Sequence, residues 1–418
     1  MTKNKYLFPF IMITSLFFMW GFVHNLDPIL IPHLKKSFSL STLQASLVDS
    51  AVFIAYFLMA LPAGFIMKKY GYKTGIIIGL LLFAIGSFLF IPAANTQLYF
   101  FFLIALFIIA CGLTILETAA NPYASLLGPP ETSTFRLNFA QSFNGLAATL
   151  APIIGAKIIL TKGYSDTELS AMTESAKQVA LASEASSVKL PYLILGSIIL
   201  VIAIIFAFLK LPEIKETEQK EGEKTGIFHA LAHRHLSWAV AAQFFYVGAQ
   251  VCVFSFFILY ATKAAGIDEQ QAAKYAGYGM GMAFMIGRFF GTFLMKFIGA
   301  GKLLSVYALI NVILCIVAIT SSGTIALYAV IGIAFFMSIM FPTIFSLGIK
   351  DLGKDTKFGS SLIIMSIVGG AILPPVMGYI SDLTHNIQVG YIVPLICFVV
   401  VFLFGIKGHK VIENKSYE

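Results

Sequence analysis

From Tyr6 to Ile406 the chain passes through about twelve apolar stretches, separated by short polar or basic segments. A helix needs roughly 20 mainly apolar residues to cross the hydrocarbon core of a bilayer. Lipid offers no partner to backbone N–H and C=O groups, so such stretches fold as helices whose backbone bonds close internally. The expected spans are 6–34, 43–67, 74–93, 97–127, 136–160, 190–211, 236–263, 271–298, 302–321, 323–348, 358–383 and 388–406. Hydrophobic residues make up 58% of the chain and charged residues 11%, against about 25% charged in soluble domains. The fold class expected is an all-α polytopic membrane protein. The first stretch is too long for a signal-peptide core and lacks a small-residue cleavage site, so it is read as a retained helix.

The formal charge of +8 does not indicate a nucleic-acid partner, because the basic residues are spread over short loops instead of forming one soluble face. They read as topology signals. Lys3, Lys5, Lys68, Lys69, Lys73, Arg136, Lys210, Lys215, Lys350, Lys354, Lys357 and Lys407 fall on one side of the span map. Fewer, such as Lys35, Lys36, Lys157, Lys162 and Lys263, fall on the other. That excess places both termini in the cytoplasm. Cys111, Cys252, Cys315 and Cys397 all lie in apolar stretches with no CxxC spacing, so no disulfide framework is expected. No GxxxxGK[ST], HExxH or GxSxG sequence occurs. ATP-driven transport and the common hydrolase chemistries therefore have no support. Gly277-Tyr-Gly-Met-Gly281 lacks the spacing and the preceding strand of a dinucleotide loop. A lipid environment, a monomer and no cofactor are the remaining expectations.

Two longer polar segments divide the pattern. Thr161 to Val188 reads as an external loop, and Lys210 to Thr225 (KLPEIKETEQKEGEKT) as a flexible linker that cannot pack a core. The expected domains are residues 1–211 and 232–418, each a six-helix bundle, joined by a cytoplasmic linker at 212–231. The halves look duplicated. Gly64-Phe-Ile-Met-Lys68 is echoed by Gly291-Thr-Phe-Leu-Met-Lys296, with 291 − 64 = 227. Gly155 of Ala151-Pro-Ile-Ile-Gly155 is echoed by Gly378 of Pro374-Pro-Val-Met-Gly378, with 378 − 155 = 223, and Pro122 by Pro342, with 342 − 122 = 220. Parallel repeats of six helices around a midplane site are the plan of a large class of secondary transporters.

The candidate site residues are polar groups set in apolar spans. Glu117 costs roughly 2.5–3.5 kcal/mol at a bilayer centre on insertion scales, so it should face a partner or a wet cavity. Asn121 shares its helix face at i+4, and Pro122 withdraws a backbone donor beside them. In the first span Trp20, His24 and Asp27 fall on one face, with Asn25 adjacent and Pro28 following. Asp27 is the second intramembrane carboxylate. His24 and Asn25 are expected to serve proton traffic or solute contact. In the fifth span Asn138, Gln141 and Asn144 form a polar stripe; in the seventh Gln243, Tyr246 and Gln250 do the same. Amides donate and accept, which suits sugar hydroxyls, but helix–helix hydrogen bonding would use the same groups. Arg136 reads as a gate or topology residue, and Arg288 as a residue paired near the cytoplasmic end.

Several of these segments resemble the fucose:proton symporters of the major facilitator superfamily: LETAANPY at Leu116–Tyr123, FRLNFAQSFN at Phe135–Asn144, QFFYVGAQ at Gln243–Gln250 and PTIFSLGIKDLGKDTKFGSS at Pro342–Ser361. The likeness runs from about Phe17 to Gly405. It implies twelve helices in two pseudo-symmetric bundles and alternating-access import of L-fucose or a related hexose with a proton, in a bacterial inner membrane. It also implies proton coupling at Glu117 and sugar contact at Asn144, with Gln141 one turn earlier. Galactose, glucose or an amino sugar as cargo, or sodium as the coupling ion, are the alternatives. The family's Asn-Asp pair in the first span is replaced here by Asn25-Leu-Asp27-Pro28, which moves the carboxylate by one residue, about 100° on an ideal helix. Either Pro28 re-aims the side chain or Asp27 does another job.

Overall fold

The computed structural model describes residues 6–25, 42–96, 98–159, 171–186, 188–212 and 226–411. Among these residues the fold is helical with no strand, and each of the twelve expected spans overlaps a helix. The first half contains α1 (Leu7–His24), α2 (Thr42–Thr96), α3 (Tyr99–Leu126) and α4 (Ser133–Ile159). It continues with α5 (Glu174–Ser186) and α6 (Lys189–Phe208). The long α2 holds two expected spans, broken at Gly71 with φ 81° and ψ 171°, a conformation that only glycine adopts cheaply. The segment expected as an external loop at 161–188 contains α5, whose alanines and lack of internal Gly or Pro favour helix over loop.

The second half opens with a six-residue helix, α7 (Ile227–Ala232), all but the last residue of which falls in the segment expected to be linker. It continues with α8 (Arg234–Ser255), α9 (Phe257–Ala264) and α10 (Glu269–Lys274). A π-helical stretch, Tyr275–Gly281, leads into α11 (Met282–Leu294). Then follow α12 (Ala300–Thr320), α13 (Gly323–Met337), α14 (Met340–Gly348) and α15 (Thr356–Met365). The chain ends with α16 (Gly369–Thr384), α17 (Ile387–Gly390) and α18 (Ile392–Leu403). Several expected spans are thus built from two helical pieces: α8 and α9, α13 and α14, α15 and α16.

Helices of one half pack chiefly on each other: α2 on α3 and α6, α1 on α4, α8 on α16 and α18, and α12 on α13 and α18. Membrane helices gain little from hydrophobic exclusion, so association depends on close backbone approach at small residues. Gly112 supplies that between α3 and α2. A Cβ there would lie 2.6 Å from the Phe83 nitrogen and 2.7 Å from the Gly79 oxygen. The halves meet where α15 packs on α2 and α3, and where α11 and α14 pack on α4. Hydrogen bonds across this seam include Thr134–Ser346 (2.9 Å), Asn138 Nδ2 to Thr343 Oγ1 (3.2 Å) and Ser360 Oγ to the Thr118 carbonyl (2.8 Å). Since successive spans run in opposite directions, these contacts lie toward the helix ends nearer the chain termini. The segment after α6 is held there as well, by the Tyr123 hydroxyl donating to the Pro212 carbonyl at 2.8 Å.

Candidate functional site

Every residue from Cys111 to Ser125 in α3 is buried except Glu117, which keeps partial exposure. Its helix-face neighbours Leu113, Thr114, Ala120 and Asn121 are all buried, so that exposure opens onto the bundle interior and not onto lipid. Two further features set its surroundings. The buried Tyr56 of α2 donates its hydroxyl to Glu117 Oε1 at 2.7 Å. One turn on, the Asn121 side-chain oxygen accepts from Gln141 Nε2 of α4 at 3.0 Å. Asn121 is fully buried, and its Nδ2 has no hydrogen-bond partner. The carboxylate, the two amides and the phenol therefore form one continuous polar strip across α2, α3 and α4.

Arg288 joins this strip to the second half. Its side chain is 4% exposed, and it donates to the Gln141 carbonyl at 2.9 Å and to the Ser338 carbonyl at 2.8 Å. Its guanidinium also lies over the Phe284 ring at 4.5 Å. The expectation that Arg288 pairs near a helix end is thus corrected: it is interior and spans the two halves. The local reason is Pro342, which has no N–H to give the Ser338 carbonyl four residues earlier, at the break between α13 and α14. The buried Tyr246 of α8 lies within electrostatic reach of Arg288. One turn earlier, Gln243 is fully buried with neither amide atom bonded. An unpaired buried amide costs about 1–3 kcal/mol, and a hydroxylated solute could repay that cost. Gln250 is half-buried.

Asn144 of α4 sits against α1: a Cβ added to Gly21 would lie 2.7 Å from its Nδ2. Asn25 turns its amide back onto its own helix, with Nδ2 donating to the Gly21 carbonyl at 2.6 Å. Gly21 thus links Asn25 and Asn144. The Asp27 expectation lies outside the described residues, as does the side chain of His24. Trp20 packs at 4.2 Å from Phe17 and is 2% exposed, so it is a core residue and not a lipid-interface anchor. Arg136 is also structural: it donates to the carbonyls of Ala124, Ser125 and Pro129, closing the C-terminal end of α3. Sequence reasoning missed Tyr56. Its only signal was a lone hydroxyl within Val52-Phe-Ile-Ala-Tyr56-Phe-Leu-Met-Ala60, otherwise apolar. Two surface grooves, about 410 Å³ beside Leu314 and Tyr328 and about 480 Å³ beside Lys302 and His409, are not lined by any expected site residue.

A carboxylate and amides held in the membrane interior, at a seam that is bonded toward one end, define a solute transporter with a site between two bundles. Residues 10–365 match the Major Facilitator Superfamily, and the chain belongs to it. It is 43% identical over 410 residues to the L-fucose-proton symporter of Escherichia coli (strain K12), covering 96% of this chain and 93% of that one. It is 42% identical over 416 residues to the glucose/galactose transporter of Brucella abortus (strain 2308), covering 98% and 96%. The crystal structure of the Major Facilitator Superfamily transporter FucP in the outward conformation superimposes with a TM-score of 0.89 at 43% identity, covering 96% of this chain and 98% of that one. These relatives are transporters, and the chain is a transporter and not an enzyme.

Proposed function

We propose that this chain is a proton-coupled sugar importer that carries L-fucose or a closely related hexose by alternating access between residues 1–211 and 232–418. The reading rests above all on Glu117, the one incompletely buried residue in a stretch of α3 that is otherwise closed. A proton taken up there neutralises the carboxylate that Tyr56 holds. The change is felt one turn away at the Asn121–Gln141 amide pair, and through the Gln141 carbonyl at Arg288 of the other half. Asn144 and Gln141 contact the sugar hydroxyls, with Asn121, Asn25, His24, Gln250 and Tyr246 around them. Asp27 is the second proton-coupling carboxylate. No cofactor takes part. The protein works as a monomer in a bacterial inner membrane with both termini in the cytoplasm, the orientation favoured by the lysine excess.

The near-equal likeness to a glucose/galactose transporter keeps D-galactose and D-glucose beside L-fucose as cargo. Proteoliposomes carrying the purified protein, given an inward proton gradient with or without sodium and a panel of hexoses, separate these readings. Glu117→Gln should keep sugar exchange and lose gradient-driven accumulation. Undiminished accumulation in that variant removes Glu117 from the mechanism, and accumulation that follows sodium alone removes the proton.

A further inference from the structure

Away from the transport site, two histidines and an aspartate converge where the segment after residue 225 enters the second half. His229 lies on α7 and His233 in the turn between α7 and α8, while Asp355 ends the short turn Gly353–Asp355 that leads into α15. The Asp355 side chain is 1% exposed. Its Oδ2 lies 2.5 Å from His229 Nδ1 and 3.5 Å from His233 Nε2. Its Oδ1 is also buried and has no hydrogen-bond partner. The two imidazole rings stand edge to face, with centroids 5.7 Å apart and planes at 82°, and each has one nitrogen within 3.5 Å of the same carboxylate oxygen. The three donor atoms lie within 4.8 Å of one another. A single hydrogen bond does not require a second histidine, nor does it explain a buried carboxylate with one oxygen unused.

We propose that His229, His233 and Asp355 form a binding site for a divalent late transition-metal ion, of which zinc is the type. Imidazole nitrogen and carboxylate oxygen are ligands of choice for such ions, and three protein ligands with a water in the fourth position make a familiar tetrahedral set. Bonds of about 2.0–2.2 Å in a tetrahedron place donor atoms roughly 3.3 Å apart. The His233–Asp355 separation already fits. The His229 ring must back away by under about 1 Å to reach that spacing, and its side chain is half exposed and free to do so. Magnesium and calcium prefer all-oxygen sites and are not expected here.

The position gives the ion a task. Asp355 immediately precedes α15, which packs against α2 of the first half through Phe358 and Phe65, with ring centroids 5.2 Å apart. A bound ion would fasten the segment that follows the linker to the start of a helix that meets the opposite bundle.

The test uses the full-length protein in detergent, purified through a tag without histidine and stripped with a chelator. Titration calorimetry with zinc chloride, and the visible absorption of the cobalt(II) form, report binding. The chain has seven histidines, so variants and not stoichiometry alone decide. His229→Ala and His233→Ala should each weaken zinc binding at least tenfold, and the double variant should abolish the high-affinity ion and the cobalt absorption. Zinc should raise the melting temperature of the wild-type protein and not that of the double variant. Matching melting temperatures in chelator confirm that the variants fold. Equal zinc affinity in wild type and double variant, or no binding by the wild type, overturns the proposal and leaves only a hydrogen-bonded latch.

Discussion

The two halves share a plan, yet at corresponding positions they carry opposite chemistry. The Pro122–Pro342 offset of 220 carries Glu117 onto Met337 (117 + 220) and Asn121 onto Phe341 (121 + 220). The offset of 223 between the fifth and eleventh spans carries Gln141 onto Ile364 (141 + 223) and Asn144 onto Ile367 (144 + 223). Where the first half places acid and amides, the second half is apolar. Backbone continuity runs the other way. α3 stays helical through Pro122, and α4 is unbroken. In the second half the equivalent spans break at Ser338–Ile339 and at Ser366–Val368. At these positions the first half carries polar side chains on continuous helices, and the second carries apolar side chains beside breaks in the helix. The second half's own polar groups, Gln243, Tyr246 and Arg288, come from α8 and α11. Arg288 links the two halves by donating to a backbone carbonyl of each. The two halves differ both in these side chains and in the continuity of the helices that carry them.

The strongest way to break this comparison is to remove the acid that only the first half holds. Glu117→Gln keeps shape and hydrogen-bonding capacity but cannot cycle a proton. One charge crossing 100 mV supplies about 2.3 kcal/mol, worth roughly fifty-fold accumulation. That factor should vanish in uptake driven by a proton gradient, while exchange of labelled for unlabelled sugar persists. The next largest effect should come from Arg288→Met. Hydrogen bonds to a charged group are worth about 1.5–3 kcal/mol, so losing the link between the Gln141 and Ser338 carbonyls should slow net transport by about thirty-fold. The melting temperature should change little, because relief of an expensive buried cation offsets the lost bonds. A large fall in melting temperature with normal turnover would make Arg288 a stability residue only.

A smaller effect follows from giving the first half the second half's side chain. Gln141→Ile leaves the Asn121 side-chain oxygen without its 3.0 Å donor and removes a group expected to read the sugar. A loss of about 1.4 kcal/mol, or tenfold in apparent sugar affinity, is expected from equilibrium binding to the purified protein. Gly21→Ala sharpens the same point for Asn144. Its new methyl would press on Asn144 Nδ2 at 2.7 Å, weakening sugar binding several-fold without touching Glu117. Unchanged affinity in both variants would assign the amide stripe to helix packing.

How much of this could be read in the sequence depends on the range of the interaction. The spans follow from local apolar length, and the shared face of Glu117 and Asn121 from helical period, so both were legible. The pairing of Asn121 with Gln141 crosses 20 residues, and that of Tyr56 with Glu117 crosses 61; no local pattern announces either. Arg288 was misjudged because a charge in a membrane span is normally placed near an end, where its side chain can reach water. What permits an interior position is a break in another helix; Pro342, four residues after Ser338, signals the freed carbonyl but not which distant side chain takes it. The helix at Glu174–Ser186 was hidden by polar composition, and α7 by its shortness.

The smallest expected effect concerns the seam itself. The hydroxyls of Thr134 and Ser346 are 2.9 Å apart, and Ser346 is 3% exposed. A neutral hydrogen bond contributes about 0.5–1.5 kcal/mol net. Thr134→Val, which keeps the branched shape, should therefore favour parting of the halves at the termini end by about two- to ten-fold. Ser360 reports that parting: it is fully buried and bonds across the seam to the Thr118 carbonyl, so a cysteine placed there reacts only when the halves separate. The four native cysteines are buried and should contribute little background. In a Ser360→Cys protein, alkylation should quicken with Thr134→Val and with Ser346→Ala. The double variant should be no faster than Ser346→Ala alone, because that change already removes the Thr134 contact together with a 3.4 Å contact to Ser133. Additive effects would mean that the two hydroxyls act through different partners, and unchanged rates would show that this contact does not hold the seam.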